Sequence, residues 1–131
     1  MPNTSLKLLA AVHTGDSDTA HMLIAQGADV NHRLEDEARA PVLSIAAMSG
    51  HTNIARLLIE HGADVNAADN GGFTALMNAA VCGHTDTVRL LIDKGAQVDA
   101  TDEAGVTALH IARAKEHTAI ADMLRAAGAK E

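Results

Sequence analysis

A five-residue motif that begins with glycine recurs along this chain at an almost constant interval, and this regularity limits the possible fold more than any other feature. The motif glycines are 35, 33 and 33 residues apart: Gly27, Gly62, Gly95 and Gly128. A second series has intervals of 35 and 33 residues, with Glu116 where the next glycine is due: Gly15, Gly50 and Gly83. A long fixed period predicts a stack of similar supersecondary units, because such units bury their apolar faces against each other and not in one central core.

Within each unit the pattern of apolar residues predicts two short helices. The second helix carries apolar residues at i, i+3 and i+4, as at Ile54, Leu57 and Leu58, which places them in one stripe. The first helix is rich in alanine, as in residues 45–48 and 78–81, so neighbouring helices can approach closely. Polar residues near the starts of the second helices are of the types that cap helices: Thr52, Asn53, Thr85, Asp86 and Thr118. The fold class expected from these patterns is an all-α solenoid.

The segment GFTALMNAAVCGHTDTVRLLIDKGAQVDA, residues 72–100, resembles the ankyrin-repeat pattern G-x-T-P-L-H-L-A-A-x-x-G-H…L-L-x-x-G-A-D-V-N-A. The family's proline is replaced by Ala75 and Ala108, and its TPLH histidine is kept only at His110. The resemblance implies stacked helix-turn-helix units with short β-hairpin-like loops, in a small stand-alone protein of bacterial type. It covers residues 1–131 as a single domain of four repeats: 1–33, 34–68, 69–101 and 102–131.

The terminal repeats are expected to act as caps. Arg113 replaces the alanine found at Ala47 and Ala80, and Arg125 replaces the isoleucine of the earlier repeats, which predicts a solvated outer face on the last repeat. The first repeat lacks the turn glycine and starts directly in a helix, as an N-terminal cap would. The chain is therefore expected to be a complete array.

Charge and composition exclude several classes of function. The net charge is −7, and this disfavours nucleic acid as a partner, because Lys and Arg contacts to phosphate supply most of that affinity. The apolar stretch LLAAV is too short for a signal peptide or a membrane span, and a single cysteine is consistent with a reducing compartment. We therefore expect a cytoplasmic protein without membrane association, and a monomer.

No arrangement of residues in the sequence predicts catalysis, a cofactor or a metal site. Phosphate-binding glycine loops are absent, and Cys82 and His84 lack a third orienting group. His51 and its equivalents His84 and His117 share one repeat position, so whole repeats separate them and they are too far apart to share a zinc ion. The ankyrin resemblance implies that these histidines pack and form hydrogen bonds near the loop between helices.

The same resemblance implies a module that binds a protein partner through its hairpin loops, or fingers, and the exposed side of the first helices. The candidate partner-binding residues on this surface are Arg33, Glu35, Asp36, Glu37, Arg39, Met48, Ser49, Asn70, Phe73, Val81, Cys82, Glu103, Val106 and Lys115. Met48, Phe73, Val81 and Cys82 form an apolar set on it, although Phe73 could instead pack against its own hairpin. Asn78 replaces an apolar residue of other repeats, and a structural hydrogen bond is expected there.

The first finger is irregular, because the stretch NHRLEDEARAPVL, residues 31–43, contains the two extra residues of the 35-residue intervals. Arg39 stands where Gly72 and Gly105 stand in the later fingers, so we expect a different turn and a longer reach. Its charges form either a solvated loop or a contact with a basic patch on the partner. The predicted function is non-enzymatic protein binding; the alternative is a dedicated inhibitor or immunity-type protein that masks a partner's active site.

Overall fold

The computed structural model describes residues 4–130, and within this range the chain forms eight α-helices joined by turns and short loops. The helices are α1 (Thr4–Thr14), α2 (Ser17–Ala25), α3 (Val42–Ser49), α4 (Thr52–Glu60), α5 (Ala75–Cys82), α6 (Thr85–Asp93), α7 (Ala108–Ala114) and α8 (Thr118–Ala126). Consecutive helices pack in pairs, and each pair packs on the next, with α1, α3, α5 and α7 in one layer and α2, α4, α6 and α8 in the other. Isolated antiparallel bridges join Arg33 to Pro41 and Ala68 to Thr74. The all-α solenoid with hairpin-like loops is thus confirmed.

The hydrophobic core runs along the stack as one continuous cluster. The inner layer contributes alanines that are fully buried, such as Ala46 and Ala79, where a larger side chain would hold the first helices apart. The second helices contribute the bulk of the apolar stripe, with Leu58, Leu91 and Leu124 at the same place in successive units and all fully buried. Each unit is therefore stabilised mainly by its neighbours.

The repeated positions that end the first helices adopt the left-handed conformation. Gly50 and Gly83 cap α3 and α5 with φ of 74° and 76°. Glu116 follows α7 with φ of 60°, so it occupies the glycine position in conformation as well as in sequence. The single glycine outside the repeat pattern, Gly71, has no positive φ.

The prediction that threonine, asparagine and aspartate cap the later second helices is wrong. The N-cap residues of α4, α6 and α8 are His51, His84 and His117, and none of them caps its helix through a side-chain hydrogen bond. Thr52 lies inside the first turn instead, where its Oγ1 is 2.8 Å from Oγ1 of the buried Thr87 in the next unit. The polar residue at this position therefore joins two repeats.

Helix α2, the second helix of the first repeat, does have a carboxylate cap. Asp16 Oδ1 accepts a hydrogen bond from the Thr19 N–H at 3.1 Å, and Oδ2 accepts one from the Thr19 hydroxyl at 2.6 Å. These bonds, that of the hydroxyl first, lower the pKa of Asp16, because they favour the ionised carboxylate. Asp16 thus has a structural role at the start of a helix.

Candidate functional site

Three fingers project from the stack between one helix pair and the next: residues 34–40, 69–73 and 102–106. Each finger is closed by a backbone hydrogen bond from the N–H of its first residue to the carbonyl of its last, at 2.9, 2.9 and 3.0 Å. Because this bond is the same in all three, it aligns the fingers without ambiguity. The two extra residues lie inside the first finger.

The insertion changes which residue supplies the carboxylate that holds the turn. In the second finger the first residue does so, since Asp69 Oδ1 accepts hydrogen bonds from the N–H groups of Gly71 and Phe73, both at 2.9 Å. The first finger has Leu34 at this position, and its turn carboxylate is Asp36, whose Oδ1 accepts from the Arg39 N–H at 3.0 Å. Moving the carboxylate two residues along the loop leaves position 34 available for an aliphatic side chain.

The first finger turns differently from the later ones, as expected, but Arg39 keeps the left-handed conformation of the glycines that it replaces. Arg39 has φ of 53°, in the same left-handed region as Gly72 and Gly105 at 83° and 78°. A non-glycine residue in this conformation costs about 1–2 kcal/mol. The hydrogen bond from its N–H to Asp36 helps to hold this conformation. The longer finger therefore keeps the left-handed residue but not the turn. Gly72 and Gly105 donate their N–H groups to backbone carbonyls, at 3.0 Å in both fingers, whereas Arg39 donates to a side chain.

Two of the candidate binding residues hold the first finger in place. Arg33 Nη1 donates to the carbonyl of Arg39 at 3.0 Å and to that of Ala68, in the next repeat, at 2.6 Å. Asn70 donates twice to the first finger, from its backbone N–H to Ala38 O and from Nδ2 to Glu37 O, both at 2.7 Å. The guanidinium and the amide thus fix the finger by hydrogen bonds to its backbone.

The remaining charged candidates are presented to solvent. The exposed residues are Glu35, Asp36, Glu37, Arg39, Glu103 and Lys115. Three acids and one base make the first finger, residues 34–40, acidic.

The apolar candidates differ in how much of each side chain a partner could reach. Met48 is 43% exposed and Cys82 is also exposed, whereas Ser49, Phe73, Val81 and Val106 are half-buried. Phe73 packs against the hydrophobic core. Asn78 is buried and its Nδ2 donates to Thr74 O at 3.1 Å, so the predicted structural hydrogen bond is confirmed.

An apolar groove that the sequence did not predict lies at the first two repeats, between α1 and α3, and we call it the N-terminal groove. Its volume is about 470 Å³. Its main lining residues are Leu6, Leu9 and His13 of α1, Leu34 of the first finger, and Ile45 and Met48 of α3. Leu6 is 48% exposed, which is unusual for a leucine in a packed helix layer. The feature of the sequence that could have indicated this groove is the aliphatic residue at position 34, where the later fingers have aspartate.

Comparison with protein families shows to which family the chain belongs. The model for ankyrin repeats (3 copies) matches residues 8–102 and 72–130. The chain belongs to the ankyrin-repeat family. No curated protein shows a significant match to it. Ankyrin repeats are generally protein–protein interaction modules, and the fingers and first helices described above are therefore the surface to consider for binding.

In this ankyrin protein the row of histidines joins successive repeats. The Nε2 atoms of His51, His84 and His117 are 3.3, 3.0 and 3.4 Å from a backbone carbonyl near the end of the preceding first helix. Each ring also lies against the glycine that follows that helix. The structural role expected for these histidines is confirmed.

Metal removal is expected to have no effect on the stability of this ankyrin stack. Over residues 4–130 no three His, Cys, Asp or Glu side chains are grouped so that they could hold a metal ion. A chelator should therefore leave the melting temperature unchanged in a thermal scan followed by circular dichroism. A lower melting temperature that zinc restores would contradict the structural role of the histidine row.

Of the helices described, none is both long and apolar enough to cross a bilayer.

Proposed function

We propose that this protein is a non-enzymatic interaction module whose partner, a protein, contacts the fingers and the exposed side of the first helices. The observation that carries the proposal is the construction of the first finger. Its backbone is held by Arg33 and Asn70, while Glu35 and Glu37 are exposed to solvent. A loop that is already ordered loses less conformational entropy on binding, so such a surface favours association.

The proposed partner carries a basic patch. The net charge of −7 and the acidic first finger favour association with positive surfaces and disfavour nucleic acid. We propose further that residues 1–131 act as one domain of four repeats, bounded at 33/34, 68/69 and 101/102, and that the protein is a cytoplasmic monomer. The negative charge supports the monomer, because two copies repel each other.

An inhibitor of immunity type is the second candidate function. The exposed acidic finger supports it, since a negatively charged loop could cover a basic active site on a partner enzyme. This function requires that the partner's activity falls in proportion to the amount of complex formed. Complex formation without a change in that activity would favour an adaptor over an inhibitor.

The proposed binding surface can be located by photo-crosslinking. A photoreactive side chain at Glu37, Met48 or Glu103, on the fingers and first helices, is expected to give a cross-linked species of one defined mass in native lysate. Matched positions on the second helices, Glu60 and Asp93, are exposed as well and should give none. Gel mobility and mass spectrometry of each cross-linked variant provide the measurement. Cross-links from Glu60 or Asp93 alone would place the interface on the opposite face and overturn the proposal.

A further inference from the structure

We propose that the N-terminal groove binds an amphipathic helical segment of the partner that carries lysine or arginine along one flank. This inference rests on the proposed function, and it assigns one part of the surface and the chemistry of what binds there. Three properties of the groove lead to it: the spacing of its apolar side chains, the absence of backbone groups to pair with, and the charge of the adjoining finger.

The walls of the groove are two neighbouring helices with their apolar residues in register. Leu6 and Leu9 on α1 lie at i and i+3, with His13 one turn further at i+7, and Ile45 and Met48 on α3 lie at i and i+3. Leu34 closes one side from the first finger. A volume of about 470 Å³ accommodates a few aliphatic side chains and not a whole domain. A segment with one apolar face fits these dimensions.

A helical segment suits this groove better than an extended one. The lining is formed by side chains of helices whose own backbone groups are paired, so it offers no strand edge to an incoming chain. An extended segment on this lining would leave its N–H and C=O groups without partners on that side, which is costly. A helix satisfies these groups internally, and its apolar residues recur along one face, as those of the walls do.

The charge next to the groove selects a basic segment. Leu34, which lines the groove, is followed directly by Glu35, Asp36 and Glu37, all exposed to solvent. Arg39 is the one base in this finger, and the Arg33 guanidinium is engaged with two carbonyl oxygens. A helix seated on Leu34 and Met48 would therefore have one flank against the acidic residues. Lysine or arginine on that flank would be attracted, and glutamate would be repelled.

A second copy of the chain is a poorer occupant. In a two-fold symmetric contact the same patch meets itself, so groove-to-groove packing would bring the two acidic fingers towards each other. Each copy also carries a net charge of −7, which adds repulsion. Charge complementarity thus favours a different, basic molecule.

The groove belongs to the first two repeats and is not a general property of this stack. Where the first finger has Leu34, the second and third have Asp69 and Asp102, whose carboxylates accept hydrogen bonds from their own turns. Where α3 has Ser49, α7 is followed by the exposed Lys115. The aliphatic residue and the acidic cluster therefore occur together only at the finger that contains the insertion.

Selection from a display library tests the proposal on the whole chain. The library consists of helical peptides of about 15 residues in which one face and both flanks are randomised. We expect selected peptides to carry Leu, Ile or Met on one face and Lys or Arg on one flank. Met48→Ala should weaken their binding about tenfold or more, as for an interface anchor. Met22→Ala should not change it, although Met22 is 51% exposed and Met48 43%.

The charge contribution is tested with a matched pair of variants. Glu35→Gln combined with Glu37→Gln should slow association at low salt, and the effect should disappear near 1 M salt, where screening acts over about 3 Å. Glu60→Gln combined with Asp93→Asn changes the net charge equally on the second helices and should have little effect. With methyl-labelled methionine, a bound peptide should shift the Met48 resonance and leave that of Met22 in place.

Three results would overturn the inference: a selection that enriches no peptide or peptides without basic residues, peptides that bind Met48→Ala as tightly as the original chain, or a Met48 resonance that shifts with protein concentration alone, which indicates a second copy. The proposed function would survive each of these if cross-links still formed at Glu103, because the partner would then bind elsewhere on the fingers. Loss of cross-links at Glu37, Met48 and Glu103 alike would instead reject the proposed function.

Discussion

Replacing Leu91 with alanine is expected to lower the free energy of unfolding by about 2–5 kcal/mol, because it removes buried methyl groups and leaves a cavity. Leu91 is fully buried on α6, in the interior of the stack, with repeats packed on both sides. Since each repeat is stabilised by its neighbours, damage there weakens two interfaces at once. Urea unfolding followed by circular dichroism measures the change.

The matched control is Arg125→Ala on α8, which should change the free energy of unfolding by less than about 1 kcal/mol, as expected for a surface site. Arg125 is exposed, and its Nη1 lies 3.3 Å from Asp122 Oδ1 in an ion pair on the helix surface. Such exposed pairs contribute little. Equal costs for Leu91→Ala and Arg125→Ala would show that the last repeat does not present a solvated outer face.

The repeat architecture was predictable because periodic patterns in the sequence indicate it, and these patterns can be recognised without knowing which distant residues are in contact. The glycine series and the i, i+3, i+4 stripes each depend on residues close in sequence, and the stack adds only the repetition of one packing arrangement. Glu116 shows the same repetition in the structure. It stands where the next glycine of the second series is due, and its φ of 60° lies in the left-handed region of Gly50 and Gly83.

The construction of the first finger was not predictable for a physical reason. Pattern comparison locates the two extra residues only within a range. The loop's hydrogen bonds determine which side chains hold its backbone and which face the solvent. Arg33 and Asn70 look like partner-binding residues in sequence, yet they donate to backbone carbonyls of the first finger and, from Arg33, of Ala68 just before the second. Their partners lie up to 35 residues away along the chain, so no local pattern reports them.

The N-terminal groove was missed because α1 was interpreted as a cap. Leu6 and Leu9 fit the apolar stripe of any amphipathic helix, and nothing local to α1 distinguishes a leucine that packs inward from one that faces a groove. The distinction comes from Leu34, a residue of the next repeat, which closes the groove only because Asp36 has taken over the turn. A change in one loop thus creates an apolar surface between two helices.

The second large effect is expected for Gly50→Ala, which should lower the free energy of unfolding by about 2–4 kcal/mol from backbone strain and a lost hydrogen bond. Gly50 has φ of 74°, and a Cβ there would lie 2.7 Å from Nδ1 of the His84 ring. The ring would have to move, and with it the contact of 3.0 Å between His84 Nε2 and Met48 O that joins the second and third repeats. Urea unfolding of each variant measures the cost.

Gly105→Ala separates the two contributions, because Gly105 has almost the same φ, 78°, and a Cβ there would meet nothing within 4 Å. It should therefore cost only the backbone strain, about 1–2 kcal/mol.

In a background that already carries His84→Ala, the ring is gone, and Gly50→Ala should become as mild as Gly105→Ala. The difference between the two backgrounds is the coupling between the glycine and the histidine, and a contact pair of this kind should show at least about 0.5 kcal/mol. If Gly50→Ala costs the same with and without the imidazole ring, the histidine row does not determine how closely the repeats approach, and the glycine is required for its backbone conformation alone.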